Sequence, residues 1–224
     1  MISFRSASLR PTALSRFASG WATRRTTVTG AAAALLIMVS ASLAPVASAV
    51  APKGPNAPKV GEKAPDFELP VLGEQEYLTL SDLNENGTVV VVVLRGFPGY
   101  QCPLCRRQVG AYVNRASAFV KELGNKDVRF VFVYPGADQG LDSKAKQFSA
   151  GRTLPLPMAM VTDPGMKMVS EWGLRWDAPR ETAYPSAFVI GPGRRVLWSK
   201  VSKGHGDRAA AEDLLGAIRA ANKK

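Results

Sequence analysis

Between Val89 and Leu94 six consecutive positions are apolar and five of them are valine. Such a run has no polar face, so it predicts a strand buried on both sides, at the centre of a sheet. A loop with Gly96, Pro98 and Gly99 follows. Apolar positions then recur at Val109, Tyr112, Val113, Ala116, Phe119, Val120 and Leu123, with Gly124 behind them. That spacing predicts one amphipathic helix closed by the glycine.

Val128–Tyr134 is a second buried run, and strand, helix, strand implies a right-handed crossover with parallel pairing. Upstream, Glu76–Leu83 reads as a short edge strand with its turn, and Asn84–Gly87 as a turn. Downstream, Asp142–Ser149 predicts a short helix capped by Asp142 or Ser143, Thr153–Pro157 an extended loop, and Met158–Val161 a short strand. A helix is expected from about Pro164 to Trp172. Ser186–Ile190, Gly191-Pro192-Gly193 and Arg195–Val201 form a hairpin pattern, and Asp207 is the expected cap of a closing helix bearing Ala210, Leu214, Leu215, Ile218 and Ala221. Parallel strands, a final hairpin and surrounding helices make an α/β sandwich. Met158, Met160, Met166 and Met168 raise a methionine-rich surface against ordinary core filling.

The pattern changes at the N-terminus. Residues 1–49 hold Arg5, Arg10, Arg16, Arg24 and Arg25 and no acid, then an uncharged apolar stretch from Gly30 to Val46, and end in Ala47-Ser48-Ala49. A basic start, apolar middle and small-x-small end describe a secretory signal, expected to be cleaved after Ala49. Arg24-Arg25 raises a twin-arginine route, and an uncleaved membrane anchor is the alternative. Residues 50–60 are a Pro-rich linker and residues 61–224 one domain. Its location is then periplasmic or otherwise extracytoplasmic. The formal charge of +11 includes the five signal arginines. Without them the chain is mildly basic and its Lys and Arg are scattered, which argues against a nucleic-acid partner.

The chemistry sits where the first strand hands over to the helix. Cys102 and Cys105 are the only cysteines. Pro103 suits the first helical position, making Cys102 the N-cap. First-turn N–H groups, the helix dipole, Arg106 and Arg107 would then favour thiolate. Two intervening residues keep the sulfurs within reach of a disulfide, yet so small a loop stabilises a fold little, so the spacing favours redox chemistry over a structural bridge. One histidine, His205, cannot complete a four-ligand metal set, and it reads as a surface loop residue. Trp172 and Trp176 are read as core or rim packing, with a place flanking the active face as the alternative.

Four landmarks carry a resemblance: Gly61-Glu-Lys-Ala-Pro-Asp-Phe-Glu-Leu-Pro70, Cys102-Pro-Leu-Cys105, Val161–Gly173 and Tyr184-Pro185-Ser186-Ala-Phe-Val-Ile190-Gly191. In this order they resemble the redoxins, the AhpC/TSA (peroxiredoxin-like) branch of the thioredoxin fold. The resemblance implies a thioredoxin-like three-layer sandwich, a central mixed sheet flanked by helices. It also implies a cis Pro185 facing the sulfurs, with the backbone at Tyr184 free to pair with a bound peptide.

Two departures qualify the resemblance. Pro98-Gly-Tyr-Gln-Cys102-Pro-Leu-Cys105 fits the frame Pro-x-x-x-Thr/Ser-x-x-Cys with cysteine in place of threonine. That frame makes Cys105 the peroxide-attacking sulfur, whereas the thioredoxin frame makes it Cys102. The arginine that polarises peroxide in peroxiredoxins is absent from its usual place, which Pro185 occupies, and Arg95, Arg175 or Arg180 are the substitutes. The expected activity is a thiol-disulfide oxidoreductase using Cys102 and Cys105 on peroxides or protein disulfides, with Pro98, Tyr184, Pro185 and Arg180 lining the substrate. An external thiol reductant such as a thioredoxin-like protein would regenerate it, and no metal or organic cofactor is implied. The rival is a non-catalytic binding module with a structural disulfide.

Overall fold

Val89–Val93 is the central strand (β3), and all five valines are fully buried. The computed structural model describes residues 55–85, 87–137 and 139–223. Strand alternation sends Val90, Val92 and Leu94 into one hydrophobic cluster and Val89, Val91 and Val93 into another, so the sheet has a core on each face. Each buried valine contributes on the order of 1.5 kcal/mol as an upper figure.

The sheet is mixed. Its order is β5 (Met158–Pro164), β4 (Phe130–Gly136), β3, β6 (Ser186–Gly191), β7 (Arg195–Val201). β3, β4 and β5 run parallel, and β6 and β7 form the expected antiparallel hairpin. Helices α2 (Pro103–Val113), α3 (Ala116–Leu123), α4 (Leu141–Ser149) and α6 (Ala211–Asn222) place buried residues in the first cluster. The second is covered by α1 (Leu80–Glu85), α5 (Lys167–Glu171) and a two-stranded ribbon of β1 (Glu68–Pro70) and β2 (Tyr77–Thr79). Three layers result, as expected.

Several boundaries differ from the sequence reading. The expected single helix to Leu123 is two, separated at Asn114 and Arg115. The bend sets Phe119 edge-on to both Tyr112 (6.2 Å) and Phe130 (4.8 Å), so aromatic packing against β4 takes precedence over helical continuity. Leu80–Leu83 is helical rather than part of an edge strand, because Leu80 and Asn84 turn inward together. β5 runs on to Pro164 through pairing with β4, and Asp163 accepts the backbone N–H groups of Met168 and Val169 (both 3.0 Å), which starts α5 later than expected.

At α4 and α6 the predicted cap is not the observed one. Gly140, at φ 71°, precedes α4, and Asp142 pairs with Lys146 at 2.7 Å. At α6 the Asp213 carboxylate accepts the Ala210 N–H (2.9 Å), while Asp207 pairs with Lys200 (2.8 Å). Met158, Met160 and Met168 are core residues. The expected signal segment 1–49 and linker residues 50–54 lie outside the described residues. The rest of the linker is laid on the domain, with the Asn56 N–H donating to the Gly173 carbonyl at 2.9 Å.

Candidate active site

β3 leaves the sheet at Leu94, and the loop that follows is held tightly. Gly96 takes φ 69°, and a Cβ there would stand 1.8 Å from the Pro135 carbonyl oxygen, so only glycine lets the backbone pass. Phe97 N–H donates to that same carbonyl at 2.9 Å. The Gln101 side chain accepts from the buried Tyr134 hydroxyl (2.9 Å) and donates to the Lys144 carbonyl (2.9 Å). The chain therefore enters α2 with Cys102 in fixed position.

Cys102 is the N-cap of α2 and Pro103 the first helical residue, as the sequence predicts. Both sulfurs are free thiols and both are buried, Cys102 retaining 2% exposure and Cys105 none. The Cys105 N–H donates to Cys102 Sγ at 3.3 Å. The Cys105 thiol shares its proton toward the same sulfur, and this is the main reason that Cys102 is lowered to about 5. Burial opposes the shift, while the Cys105 backbone N–H and the charges of Arg208 and Arg95 add to it. Cys105 moves the other way: donation to Cys102 and burial hold it protonated. Cys102 is thus the thiolate at neutral pH and Cys105 the thiol.

The cations that act on this thiolate are not the neighbours in sequence. Arg106 and Arg107 were expected to supply the charge, but it comes from Arg208, whose Nη2 lies 3.8 Å from Cys102 Sγ, and from Arg95. Arg208 precedes α6 and carries no motif, so no local signal marks it. Its Nε donates to the His205 carbonyl (2.7 Å) and its Nη1 to Gln108 Oε1 (2.6 Å).

Arg95, at the end of β3, is buried beside the site. It grips Glu181 with Nε (2.6 Å) and Nη2 (2.9 Å), donates to the Arg180 carbonyl (2.7 Å), and bonds the Tyr100 hydroxyl. Burial disfavours its charge, but Glu181 and Tyr100 outweigh that and hold its pKa above the usual value. His205 Nε2 also meets Glu181, at 2.9 Å, and its ring lies 5.0 Å from Trp176. His205 is exposed, as expected of a loop residue, yet it is tied into this network.

The remaining predicted site residues are dispersed around this centre. Pro98 is half-buried in the loop before Cys102. Tyr184 is buried and stacks on Trp176 at 4.5 Å and 3°. Trp172, by contrast, is core, against Phe67 and Phe188. Arg180 presents an exposed side chain and contributes its carbonyl to Arg95. Arg175 is spent on the carbonyls of Trp176, Glu181 and Thr182 (2.7, 3.1 and 2.6 Å).

Pro185 requires a correction. Its peptide bond is trans; among the described residues the cis bond is Leu156–Pro157. The expected free backbone is also taken: Tyr184 N–H donates to Leu174 (2.9 Å), Tyr184 C=O accepts from Ser186 Oγ (2.9 Å), and Pro185 C=O accepts from Ser202 N–H (2.9 Å). With these groups paired inside the fold, trans, the intrinsically favoured isomer, suffices.

The family model described as Redoxin matches residues 59–215. Among solved structures, the peroxidoxin BcpB from Mycobacterium tuberculosis is similar at 22% identity and TM-score 0.53, covering 73% of this chain and 97% of that one. The reduced 2-Cys peroxiredoxin of Plasmodium vivax is similar at 14% identity and TM-score 0.56, covering 73% and 82%. The AhpC of Mycobacterium tuberculosis follows at 15% identity and TM-score 0.53, covering 72% and 92%. No curated protein matches. A Redoxin match that contains the whole five-stranded mixed sheet, with a cysteine pair on the first turn after its central strand, places this chain in the redoxin family, on the thioredoxin-like fold of the peroxiredoxins.

Proposed function

We propose that the protein is an exported thiol peroxidase in which Cys102 is the nucleophile and Cys105 the resolving thiol. The observation that carries this reading is the split between the sulfurs: one anionic at a helix start, the other protonated and donating to it. A sulfur with a pKa near 5 is fully thiolate at pH 7, the form that attacks peroxide oxygen.

The Cys102 thiolate attacks the hydroxyl-bearing oxygen of a hydroperoxide. The O–O bond breaks, sulfur is oxidised to sulfenic acid, and the other oxygen leaves as an alkoxide or hydroxide that takes a proton from water. Cys105 sulfur then displaces the sulfenic hydroxyl, its thiol proton leaving with that hydroxyl as water, and a Cys102–Cys105 disulfide forms. An external dithiol returns both sulfurs to the thiol state and is itself oxidised to a disulfide.

Two features favour a peroxide over a protein disulfide. Cys102 keeps only 2% exposure, and a hydroperoxide needs far less room than two sulfurs carried on a polypeptide. The backbone beside the site that would receive a peptide is internally bonded at Tyr184 and Pro185. The acid-free N-terminal 49 residues support export, which places the reductant outside the cytoplasm as well.

The test compares hydrogen peroxide consumption driven by dithiothreitol with reduction of insulin disulfides. Peroxide turnover should dominate, Cys102→Ser should abolish it, and Cys105→Ser should accumulate a sulfenic acid that dimedone captures. Insulin reduction without peroxide consumption, or peroxide turnover surviving in C102S, would overturn the reading.

A further inference from the structure

Attack on a peroxide moves negative charge from sulfur onto the departing oxygen, and a site that accelerates this step needs a donor aimed where that charge arrives. Arg106 and Arg107 follow Cys105 on α2 without a side-chain bond to either sulfur, and four further arginines, Arg95, Arg175, Arg180 and Arg208, lie near the thiols or in the loops beside them. Arg95 commits four of its five N–H donors to Glu181, the Arg180 carbonyl and Tyr100. Arg175 spends its Nη1 on three backbone carbonyls, and the Arg180 side chain is exposed. Arg208 alone has a guanidinium nitrogen directed at Cys102 Sγ, at 3.8 Å.

Its direction is locked. Nε and Nη1 are anchored on the His205 carbonyl and Gln108 Oε1. Gln108 is buried, and its Nε2 donates to the Tyr112 hydroxyl (3.1 Å), which in turn donates to the Ala209 carbonyl (2.8 Å), next in chain to Arg208. This circuit leaves Nη2, a two-proton donor, facing the sulfur and with capacity for a second acceptor.

We propose that Arg208 is a catalytic residue of this site, donating from Nη2 to the peroxide oxygen that departs as Cys102 attacks. The inference rests on the peroxidase reading above. It assigns the anion-stabilising role to the loop between β7 and α6. During the step the guanidinium keeps its proton; it holds the leaving alkoxide or hydroxide until water protonates it.

The experiment compares Arg208→Met and Arg208→Lys in the full chain with the wild type. Three quantities are read: the rate of the reduced protein with hydrogen peroxide, the rate with iodoacetamide, and the Cys102 thiolate titration followed at 240 nm. Iodoacetamide reports nucleophilicity without a departing oxygen. R208M should slow the peroxide step about 100-fold, while alkylation corrected to the thiolate fraction stays within about threefold. R208K should recover part of the loss, because it restores charge but not the fixed fork.

A proportional fall in both rates would overturn the assignment, since Arg208 would then act only by setting the thiolate. Unchanged peroxide kinetics in R208M would overturn it as well, leaving the peroxidase reading intact. A wild type that consumes no peroxide overturns both. Should R208M fail to fold, the ratio of the two rates in R208K decides by the same criterion.

Discussion

Arg95 and Glu181 stand 86 positions apart in sequence and meet as a two-pronged pair, Nε to Oε2 at 2.6 Å and Nη2 to Oε1 at 2.9 Å, with side-chain exposures of 5% and 9%. The pair ties the end of the central strand to the loop preceding β6. A buried pair of this kind adds little net stability over an apolar substitute, but breaking it leaves one charge buried without a partner. Glu181→Gln should therefore destabilise the fold by about 3 kcal/mol, read as a lower urea midpoint. A midpoint equal to wild type would mean that the pair is solvated in solution.

The thiol pair predicts a pH dependence of stability. Folding lowers Cys102 to about 5 and holds Cys105 above its ordinary value, whereas both titrate near 8.5 when unfolded. From about pH 5 to about 8.5 the unfolded chain carries two thiol protons and the folded chain one, so stability rises with pH. Below the folded value of about 5 the Cys102 contribution is lost. Above about 8.5 the unfolded thiols ionise while Cys105 stays protonated, and the trend reverses. Urea titrations of wild type and C102S at pH 4.5, 6 and 8 check this: the difference between the two should grow with pH, and a constant difference contradicts it.

Reactivity follows the same group. The rate of iodoacetamide alkylation of Cys102 should rise through an apparent pKa of about 5 and level off before pH 7. In Cys105→Ala the midpoint should move upward toward the free-thiol value, because the thiol donor that does most to lower it is removed. An unchanged midpoint would assign the shift to the arginines instead.

Tyr112→Phe tests the circuit behind Arg208. It removes the hydroxyl that donates to the Ala209 carbonyl, leaving a buried acceptor unpaired at a cost of about 1–3 kcal/mol. Denaturation should show that loss, with the alkylation midpoint of Cys102 moving upward as Arg208 loosens. A stability loss with no movement of the midpoint would confine Tyr112 to packing.

Gly96→Ala tests the loop entry. A Cβ placed 1.8 Å from the Pro135 carbonyl oxygen meets backbone that cannot yield locally, so the loop to Cys102 must shift. We expect about 3 kcal/mol of destabilisation or more, together with slower Cys102 alkylation. Near-wild-type values of both would show that β4 can move aside.

By itself the sequence determined the reactive geometry on the main chain: an unbroken valine run becomes a central strand, Pro103 starts a helix, and Cys102 becomes its cap, each through interactions among residues a few positions apart. Local pattern also carried the final hairpin and the parallel crossover. Only the tertiary structure decided which charges reach the sulfur. Arg106 and Arg107 are adjacent in sequence, yet Arg208, more than a hundred positions away, and Arg95, turned inward onto Glu181, are the cations that act there. It also decided the helix break at Asn114, where Phe119 packs against β4, and the trans bond at Pro185, whose neighbouring backbone groups are paired within the fold. Electrostatic and packing partners are set by distance in space, and no periodicity along the chain encodes them.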